Sequence, residues 1–219
     1  GGGSGIGASC AEALARAGFG DIVINHAWLG AQIEAALGDG SAFGVRLAYS
    51  AETEALETAG GIAKARTLLE GAGNVFLAIA GDVFTSFDFA TLRPHATRMA
   101  AQAEPQMHLV MVPNPPFHPK GDFALDETGR LHLPAAAPAS AESLTFGSIA
   151  LYDLRLFDGI ASGTRMALTP LYQRSIAAGQ ASGERFDGIW ENVGTPAQLA
   201  ALDAEVRARH DLAPGSRIA

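Results

Sequence analysis

The chain has 219 residues, of which 48% are hydrophobic and 17% charged, so it can bury a core and intrinsic disorder is excluded. With 15 Lys and Arg against 23 Asp and Glu, the net charge of −8 excludes a general basic surface for nucleic acid or anionic membranes. The single cysteine excludes an internal disulfide, and no apolar run reaches the length of a spanning helix, so we expect a cytoplasmic protein, monomeric or homodimeric.

Short β-branched runs alternate with segments of helical period along the first half of the chain, a pattern typical of βα units around a sheet. Pro113 ends the last of these runs because proline cannot donate into a sheet ladder. The predicted helices are Ala11–Ala17, Ala31–Leu37, Gly61–Leu69 and Phe89–Ala101. The predicted strands are Asp21–Asn25, Val45–Tyr49, Asn74–Ala80 and Met107–Val112.

A hairpin is predicted next, because two short apolar runs within Phe123–Leu133 flank the turn residues Asp126–Gly129. At the other end, Thr195 is placed to cap a final helix with Pro196 in its first position, running to about Arg209. The elements between them are a strand at Phe146–Tyr152, a helix at Leu168–Ala178 and a strand at Gly188–Val193. We predict one α/β domain over residues 1–219 with an appended hairpin.

The glycine-rich start, Gly1–Gly7, allows two interpretations. It resembles the glycine turn of short-chain dehydrogenases, in which glycines let the backbone approach a pyrophosphate. The strand that should precede such a turn is absent, and no tyrosine has a lysine four residues later. A flexible linker ahead of the first helix is the alternative, and the missing strand favours it.

The segment Glu57–Gly61 lies between the second strand and its helix, at the edge where open sheets bind ligands. Gly60 and Gly61 would let a flat ring lie against the main chain, while exposed amides meet the edge of a base. An ordinary loop with a glycine pair at a helix start has the same pattern.

Gly81 and Asp82 directly follow the apolar strand Asn74–Ala80, at the same edge of the sheet. A carboxylate exposed at a strand end suits Mg²⁺, which binds through one or two carboxylates together with phosphates and water. A helix N-cap is the alternative role for Asp82.

Five short motifs follow one another in a fixed order: Glu57–Gly61, Gly81–Val83, Asn114–Phe123, Phe146–Ser148 and Trp190–Thr195. In this order they resemble the sugar-1-phosphate nucleotidyltransferases, and most the bacterial branch that makes UDP-N-acetylmuramate in cell-wall recycling. Members of that branch are often called mannose-1-phosphate guanylyltransferase-like. The resemblance covers about Ala17–Arg209 and implies a Rossmann-like, GT-A-like three-layer fold with a mostly parallel mixed sheet flanked by helices.

The resemblance implies Mg²⁺-dependent attack of a sugar 1-phosphate on the α-phosphorus of a nucleoside triphosphate, with release of pyrophosphate. UTP and N-acetylmuramate 1-phosphate are the favoured substrates. Asp82 would be the catalytic metal ligand, with Asn192 in the second metal position. The nucleotide would contact Glu57, Thr58, Ala59, Gly60, Gly61 and Gly81, and the sugar would contact Asn114, Gly121, Asp122, Gly147 and Ser148.

The chain departs from the family pattern in two places. The opening strand, arginine-bearing glycine loop and Pro-Lys-Pro segment are not recognisable, so we expect an additional N-terminal segment in the natural protein. Asn192 stands where the family has a second metal carboxylate, and Glu191 should point to the opposite face of its strand.

Three functions therefore remain open at the level of sequence: an active nucleotidyltransferase, a weakly active or inactive nucleotide- or sugar-binding module of the same fold, and an NAD(P)-dependent oxidoreductase. The six histidines are scattered without metal-ligand spacing, and we interpret them as surface or hydrogen-bonded residues. His118 stands apart because it lies in the Asn114–Phe123 motif.

Overall fold

The computed structural model describes residues 6–71 and 73–211, so residues 1–5 of the glycine-rich start lie outside the described part. The helices are α1 (Ile6–Arg16), α2 (Gly30–Leu37), α3 (Glu57–Leu69), α4 (Arg93–Ala100), α5 (Thr169–Ala177) and α6 (Pro196–Asp211). The strands are β1 (Asp21–His26), β2 (Arg46–Ala51), β3 (Val75–Ile79), β4 (Val83–Thr85), β5 (Met107–Val112), β6 (Phe123–Leu125), β7 (Leu131–His132), β8 (Glu142–Asp153), β9 (Ala181–Arg185) and β10 (Trp190–Asn192).

Local sequence accounts for several of these boundaries. The α2 helix ends at Gly38, which adopts a positive φ of 58°. Thr195 caps α6 as predicted, because its Oγ1 accepts a hydrogen bond of 3.2 Å from the backbone N–H of Gln198. The predicted hairpin is confirmed as β6 and β7, whose turn is closed by Asp126.

Strand β8 organises the larger sheet. Its first residues pair with β6, and its later residues lie between β3 and β5, all antiparallel, while β5 pairs in parallel with β9. The strands β1 and β2 form a separate parallel pair, and β4 pairs with β10. The predicted α/β fold with a mixed sheet and flanking helices is confirmed, but antiparallel pairings outnumber parallel ones where mostly parallel pairing was expected. The cause is β8, which runs against both of its long neighbours.

Helices cover both faces of this sheet, as the alternation along β8 shows. Ala150 and Tyr152 belong to a core shared with α3 and α5, whereas Ile149 and Leu151 belong to a second core shared with α1 and α4. Because consecutive strand residues point to opposite faces, one strand contributes to two apolar layers.

The sequence pattern missed two strands. The β4 strand has only three residues, and β9 has the sequence Ala-Ser-Gly-Glu-Arg, which lacks the apolar alternation that identifies a strand. Tertiary pairing with β10 and β5 holds them in place. Among residues 6–71 and 73–211, no helix is both long and apolar enough to cross a membrane.

Candidate active site

Asp82 and Asn192 meet at the end of β3. The antiparallel pairing of β10 with β4 sets Asn192 opposite Val83, the residue after Asp82. Asn192 Nδ2 then lies 3.5 Å from Asp82 Oδ2, and the backbone N–H of Val193 donates a 2.7 Å hydrogen bond to the Asp82 carbonyl oxygen. The structure therefore brings together the two residues that the sequence analysis predicts as metal ligands, which are 110 positions apart.

Gly194 leaves space beside this pair. A Cβ atom at Gly194 would lie 3.3 Å from Asn192 Oδ1 and 3.8 Å from Asp82 Oδ2. Asn192 is half-buried while Glu191 is exposed, consistent with their opposite faces on β10. The Asp82 carboxylate and the Asn192 amide therefore place oxygen atoms beside Gly194, which has no side chain to fill the space. A carboxylate and an amide oxygen are donors that fit a hard divalent cation.

A bulge in β8 connects the pair of Asp82 and Asn192 to the predicted sugar-site residues. The register between β5 and β8 shifts between Leu109 and Met111, and the bulge holds Ser148 at a positive φ of 57°. The carbonyl of Gly147 accepts a 2.9 Å hydrogen bond from Trp190 Nε1, and the carbonyl of Ser148 accepts one of 3.0 Å from the Ala80 N–H. The predicted sugar-site residues Gly147 and Ser148 are thus tied to β10 and to the end of β3.

Asn114 anchors the loop that follows β5. Its Nδ2 donates to the carbonyl oxygens of Ser143, at 3.0 Å, and Pro119, at 3.4 Å. Its Oδ1 accepts from Thr145 Oγ1 at 2.8 Å. A Cβ atom at Gly121, which has a φ of +64°, would lie 2.6 Å from Asn114 Oδ1. The geometry gives Asn114 a clear role in positioning the loop.

Asp122 holds the other end of the same loop. Its Oδ2 accepts a 2.8 Å hydrogen bond from the backbone N–H of Phe146, and its Oδ1 lies 3.1 Å from His118 Nε2. Since Phe146 precedes Gly147, these contacts place Asp122 and His118 next to the β8 bulge. The loop, the bulge and the pair of Asp82 and Asn192 therefore form one connected region.

The segment Glu57–Gly61 lies inside α3 and not in a loop before it, because the helix begins at Glu57. The Gly60 N–H donates to the Met166 carbonyl at 3.0 Å, and a Cβ atom at Gly60 would lie 2.1 Å from the Thr164 carbonyl oxygen. Glycine at position 60 thus permits close contact between α3 and the chain at 164–166. Glu57 and Thr58 are the exposed residues of the segment, and Arg165 pairs with Glu57 at 2.9 Å.

Two further polar residues, Asn25 and Glu52, lie beside Gly61 and were not predicted from the sequence. Asn25, in β1, donates from Nδ2 to Glu52 Oε1 at 3.2 Å, and Glu52 Oε2 accepts from the Leu56 N–H at 2.9 Å. A Cβ atom at Gly61 would lie 2.7 Å from both side chains. The strand-end rule that identified Asp82 would have found them, since they stand at the carboxyl ends of the parallel strands β1 and β2.

Comparison with known proteins decides the family. The family model described as nucleotidyl transferase matches residues 2–209. The chain belongs to the nucleotidyl transferase family. This nucleotidyltransferase is 43% identical over 194 residues to the N-acetylmuramate alpha-1-phosphate uridylyltransferase of Neisseria meningitidis serogroup B, covering 87% of this chain and 80% of that protein. It is 27% identical to the UTP–glucose-1-phosphate uridylyltransferase of Synechocystis, over 69% of this chain and 42% of the longer relative.

Solved structures confirm the nucleotidyltransferase fold. A Bacillus anthracis protein assigned as a glucose-1-phosphate thymidylyltransferase superposes with a TM-score of 0.71 at 18% identity, covering 92% of this chain and 82% of that one. HddC from Yersinia pseudotuberculosis gives a TM-score of 0.70 at 12% identity, covering 91% of this chain and 84% of that one. The family and fold leave the oxidoreductase interpretation without support.

Proposed function

We propose that this nucleotidyltransferase transfers the uridylyl group of UTP to N-acetylmuramate α-1-phosphate, giving UDP-N-acetylmuramate and pyrophosphate, for the recycling of peptidoglycan. The observation that carries the proposal is the 43% identity, over 87% of the chain, to a uridylyltransferase acting on that sugar phosphate. The connected region around Asp82 supplies side chains suited to the reaction.

In the proposed reaction a phosphate oxygen of the sugar 1-phosphate attacks the α-phosphorus of UTP. A new P–O bond forms while the bond between the α-phosphorus and the bridging oxygen breaks, and pyrophosphate leaves with that oxygen. The substrate supplies the nucleophile, so the protein needs only to position the groups and balance their charge.

Asp82 and Asn192 are the residues proposed to hold Mg²⁺. When bound, the ion would neutralise charge on the triphosphate and on the departing pyrophosphate. Asn192 directs Nδ2 toward Asp82, while its Oδ1 lies on the side of Gly194 and would serve as the ligand atom. Asp82 then contributes the only negative charge of the pair.

The sugar 1-phosphate is proposed to lie between the β8 bulge and the loop after β5. Asp122 is fixed by the Phe146 N–H and by His118, which leaves carboxylate lone pairs for the hydroxyl groups of a sugar. Gly147, Ser148 and Gly121 would form the main-chain wall of this side. Asn114 contributes by holding the loop in position.

The nucleotide is proposed to lie between the first turn of α3 and Gly81. Glu57 and Thr58 are exposed there and would contact the base, whereas Ala59, Gly60 and Gly61 are buried and would form the back of the site. The small residues allow α3 to pack close to Asn25 and Glu52.

A matrix of substrates tests the proposal. Pyrophosphate release is measured with UTP, dTTP, GTP and CTP against N-acetylmuramate, N-acetylglucosamine, glucose and mannose 1-phosphates, with Mg²⁺ and with EDTA. We expect kcat/KM for UTP with N-acetylmuramate 1-phosphate to exceed every other pair by about tenfold or more, which the polar contacts of a sugar site can supply. Equal or faster turnover with another pair, or binding of both substrates without pyrophosphate release, would overturn it.

A further inference from the structure

Three potential metal ligands converge between α4 and the sheet. His95 lies on α4, His108 on β5 and Glu184 on β9, and one ligand atom from each falls within 4.8 Å of the others. The Nε2 atoms of both histidines lie 4.0 Å from Glu184 Oε2. The imidazole rings stack with centroids 4.1 Å apart.

His108 is buried, His95 and Glu184 are half-buried, and the cluster is incompletely hydrogen-bonded. His108 is only 2% exposed, and among the described residues neither its Nε2 atom nor Glu184 Oε1 has a hydrogen-bond partner. A buried polar atom without a partner is destabilising, so groups left in this state indicate a missing ligand.

The contacts of Ser182 accommodate a tautomer of His108 that can bind a metal. Ser182 Oγ donates to the Met107 carbonyl at 3.4 Å and lies 2.8 Å from His108 Nδ1. In the tautomer that binds a metal through Nε2, Nδ1–H donates to Ser182 Oγ, and the Ser182 proton is directed to the Met107 carbonyl. The Nε2 atom of His108 lies 4.0 Å from Glu184 Oε2, so a cation between the two atoms would contact both groups.

We propose that His95, His108 and Glu184 bind a transition-metal dication of the Zn²⁺ type, with water completing a tetrahedral site. Two imidazole nitrogens and one carboxylate oxygen are ligands that zinc binds readily, whereas Mg²⁺ prefers oxygen ligands throughout. Ligand atoms around tetrahedral zinc lie about 3.4 Å apart, given bond lengths near 2.1 Å. The two 4.0 Å separations from Glu184 must therefore shorten by about 0.6 Å, and the separation between the two histidine ligand atoms, which is within 4.8 Å, by up to about 1.4 Å. His95, whose side chain is 30% exposed, has room to make this movement by turning away from the stacked position.

The electrostatics of the cluster agree with a neutral histidine ligand. Burial lowers the pKa of His108 to about 3, with smaller contributions from the positive charges of His95 and Arg98. Burial and Arg98 also lower the pKa of His95. Both rings thus ligate at neutral pH without first losing a proton. Arg98 opposes any cation here, and the charge of Glu184 offsets it.

The site would join α4 to β5 and β9 and brace one side of the sheet. Asp82 and Asn192, in contrast, come from the end of β3 and from β10 and carry oxygen ligands. The two sites therefore differ in position and in the metals that they prefer.

Metal binding to the full chain tests the inference. After treatment with a chelator, the protein is titrated with Zn²⁺ in the presence of excess Mg²⁺ and no substrates, and bound zinc is counted per chain. Co²⁺ replaces Zn²⁺ in a parallel titration, because its visible absorption reports tetrahedral ligation. We expect one Zn²⁺ per chain, a higher melting temperature and a tetrahedral Co²⁺ spectrum.

Two variants and two controls locate the ion. His95→Ala and Glu184→Gln should weaken Zn²⁺ binding at least tenfold and remove the Co²⁺ spectrum. Thr97→Ala, on the exposed face of α4, and His118→Ala, which removes another histidine close to a carboxylate, should bind as the wild type does. The inference is overturned if the wild type binds no stoichiometric zinc, or if His95→Ala and Glu184→Gln bind it with unchanged affinity. None of these experiments measures nucleotidyl transfer, so their outcome does not depend on whether the proposed function is correct.

Discussion

The amide of Asn192 directs Nδ2 toward Oδ2 of Asp82 at 3.5 Å. Asp82 therefore has a neutral partner at the place where a second carboxylate would bring another negative charge. This relationship determines the charge of the proposed magnesium site and the behaviour of variants at both positions.

Asp82→Asn should reduce Mg²⁺-dependent pyrophosphate release by at least about 10²-fold, because it removes the one charged side chain of the proposed magnesium site. The melting temperature should change little, since Asp82 lies in a turn at the edge of the sheet. Steady-state kinetics and thermal unfolding check both statements.

Glu191→Gln is the matched control for Asp82→Asn. It removes one carboxylate from the exposed face of β10, so turnover should stay near the wild-type rate. Wild-type turnover by Asp82→Asn would refute the metal role.

Asn192→Asp should tighten the binding of Mg²⁺, because a second carboxylate 3.5 Å from Asp82 adds attraction for a cation and repulsion without one. We expect the Mg²⁺ concentration for half-maximal activity to fall several-fold and the metal-dependent rise in melting temperature to increase. An unchanged Mg²⁺ midpoint would show that residue 192 does not contact the metal.

Gly60→Ala should destabilise the fold, because its Cβ atom would meet the Thr164 carbonyl oxygen at 2.1 Å. Overpacking of this kind typically costs about 1–3 kcal/mol, which chemical denaturation can measure. Gly71→Ala is the control, since in the described part of the chain no atom beyond its chain neighbours lies within 4 Å of its Cβ position.

Nucleotide affinity of Gly60→Ala, compared with the Gly71→Ala control, shows whether Gly60 only packs α3 or also contacts the nucleotide. If Gly60 serves only to pack α3, Gly60→Ala should retain nucleotide affinity at temperatures where it is folded. A loss of nucleotide affinity greater than any loss of sugar-phosphate affinity would favour the sequence-based prediction that a side chain there excludes the base.

Asp126 should stabilise the β6–β7 hairpin in a pH-dependent way. Its hydrogen bond with His132, followed by those from Thr128 and Arg130, lowers the pKa of the carboxyl group below its ordinary range. A carboxyl whose pKa is lower in the folded state contributes stability above its ordinary pKa near 4, and this contribution is lost as the pH falls below that value.

Asp126→Asn should therefore lower the melting temperature at pH 7 and lose less additional stability between about pH 5 and pH 3 than the wild type does. The neighbouring Glu127→Gln variant removes an exposed carboxylate and should follow the wild-type curve. Parallel curves for Asp126→Asn and the wild type would contradict this assignment.

Much of the local structure could be predicted from sequence. The strand Met107–Val112 has the predicted bounds, and the cap of α6 is at Thr195. Asp82 remains a predicted metal ligand, chosen because it comes after an apolar strand. These features depend on residues within a few positions of one another. The sequence pattern predicts that α3 begins at Gly61, whereas in the structure it begins four residues earlier, at Glu57. The pattern does not show the buried contact of this first turn with residues 164–166.

By itself, therefore, the sequence determined most of the α/β elements, their order and the motifs that carry the family resemblance. Only the tertiary structure decided that β8 runs antiparallel to its neighbours, that Asn192 lies beside Asp82, and that His95 and His108 meet Glu184. Periodicity and capping arise from nearby residues, whereas these contacts join segments tens of residues apart through strand pairing and core packing. Glu184 shows the limit most clearly, since it lies on β9, which forms through pairing with β5 and has no apolar alternation of its own.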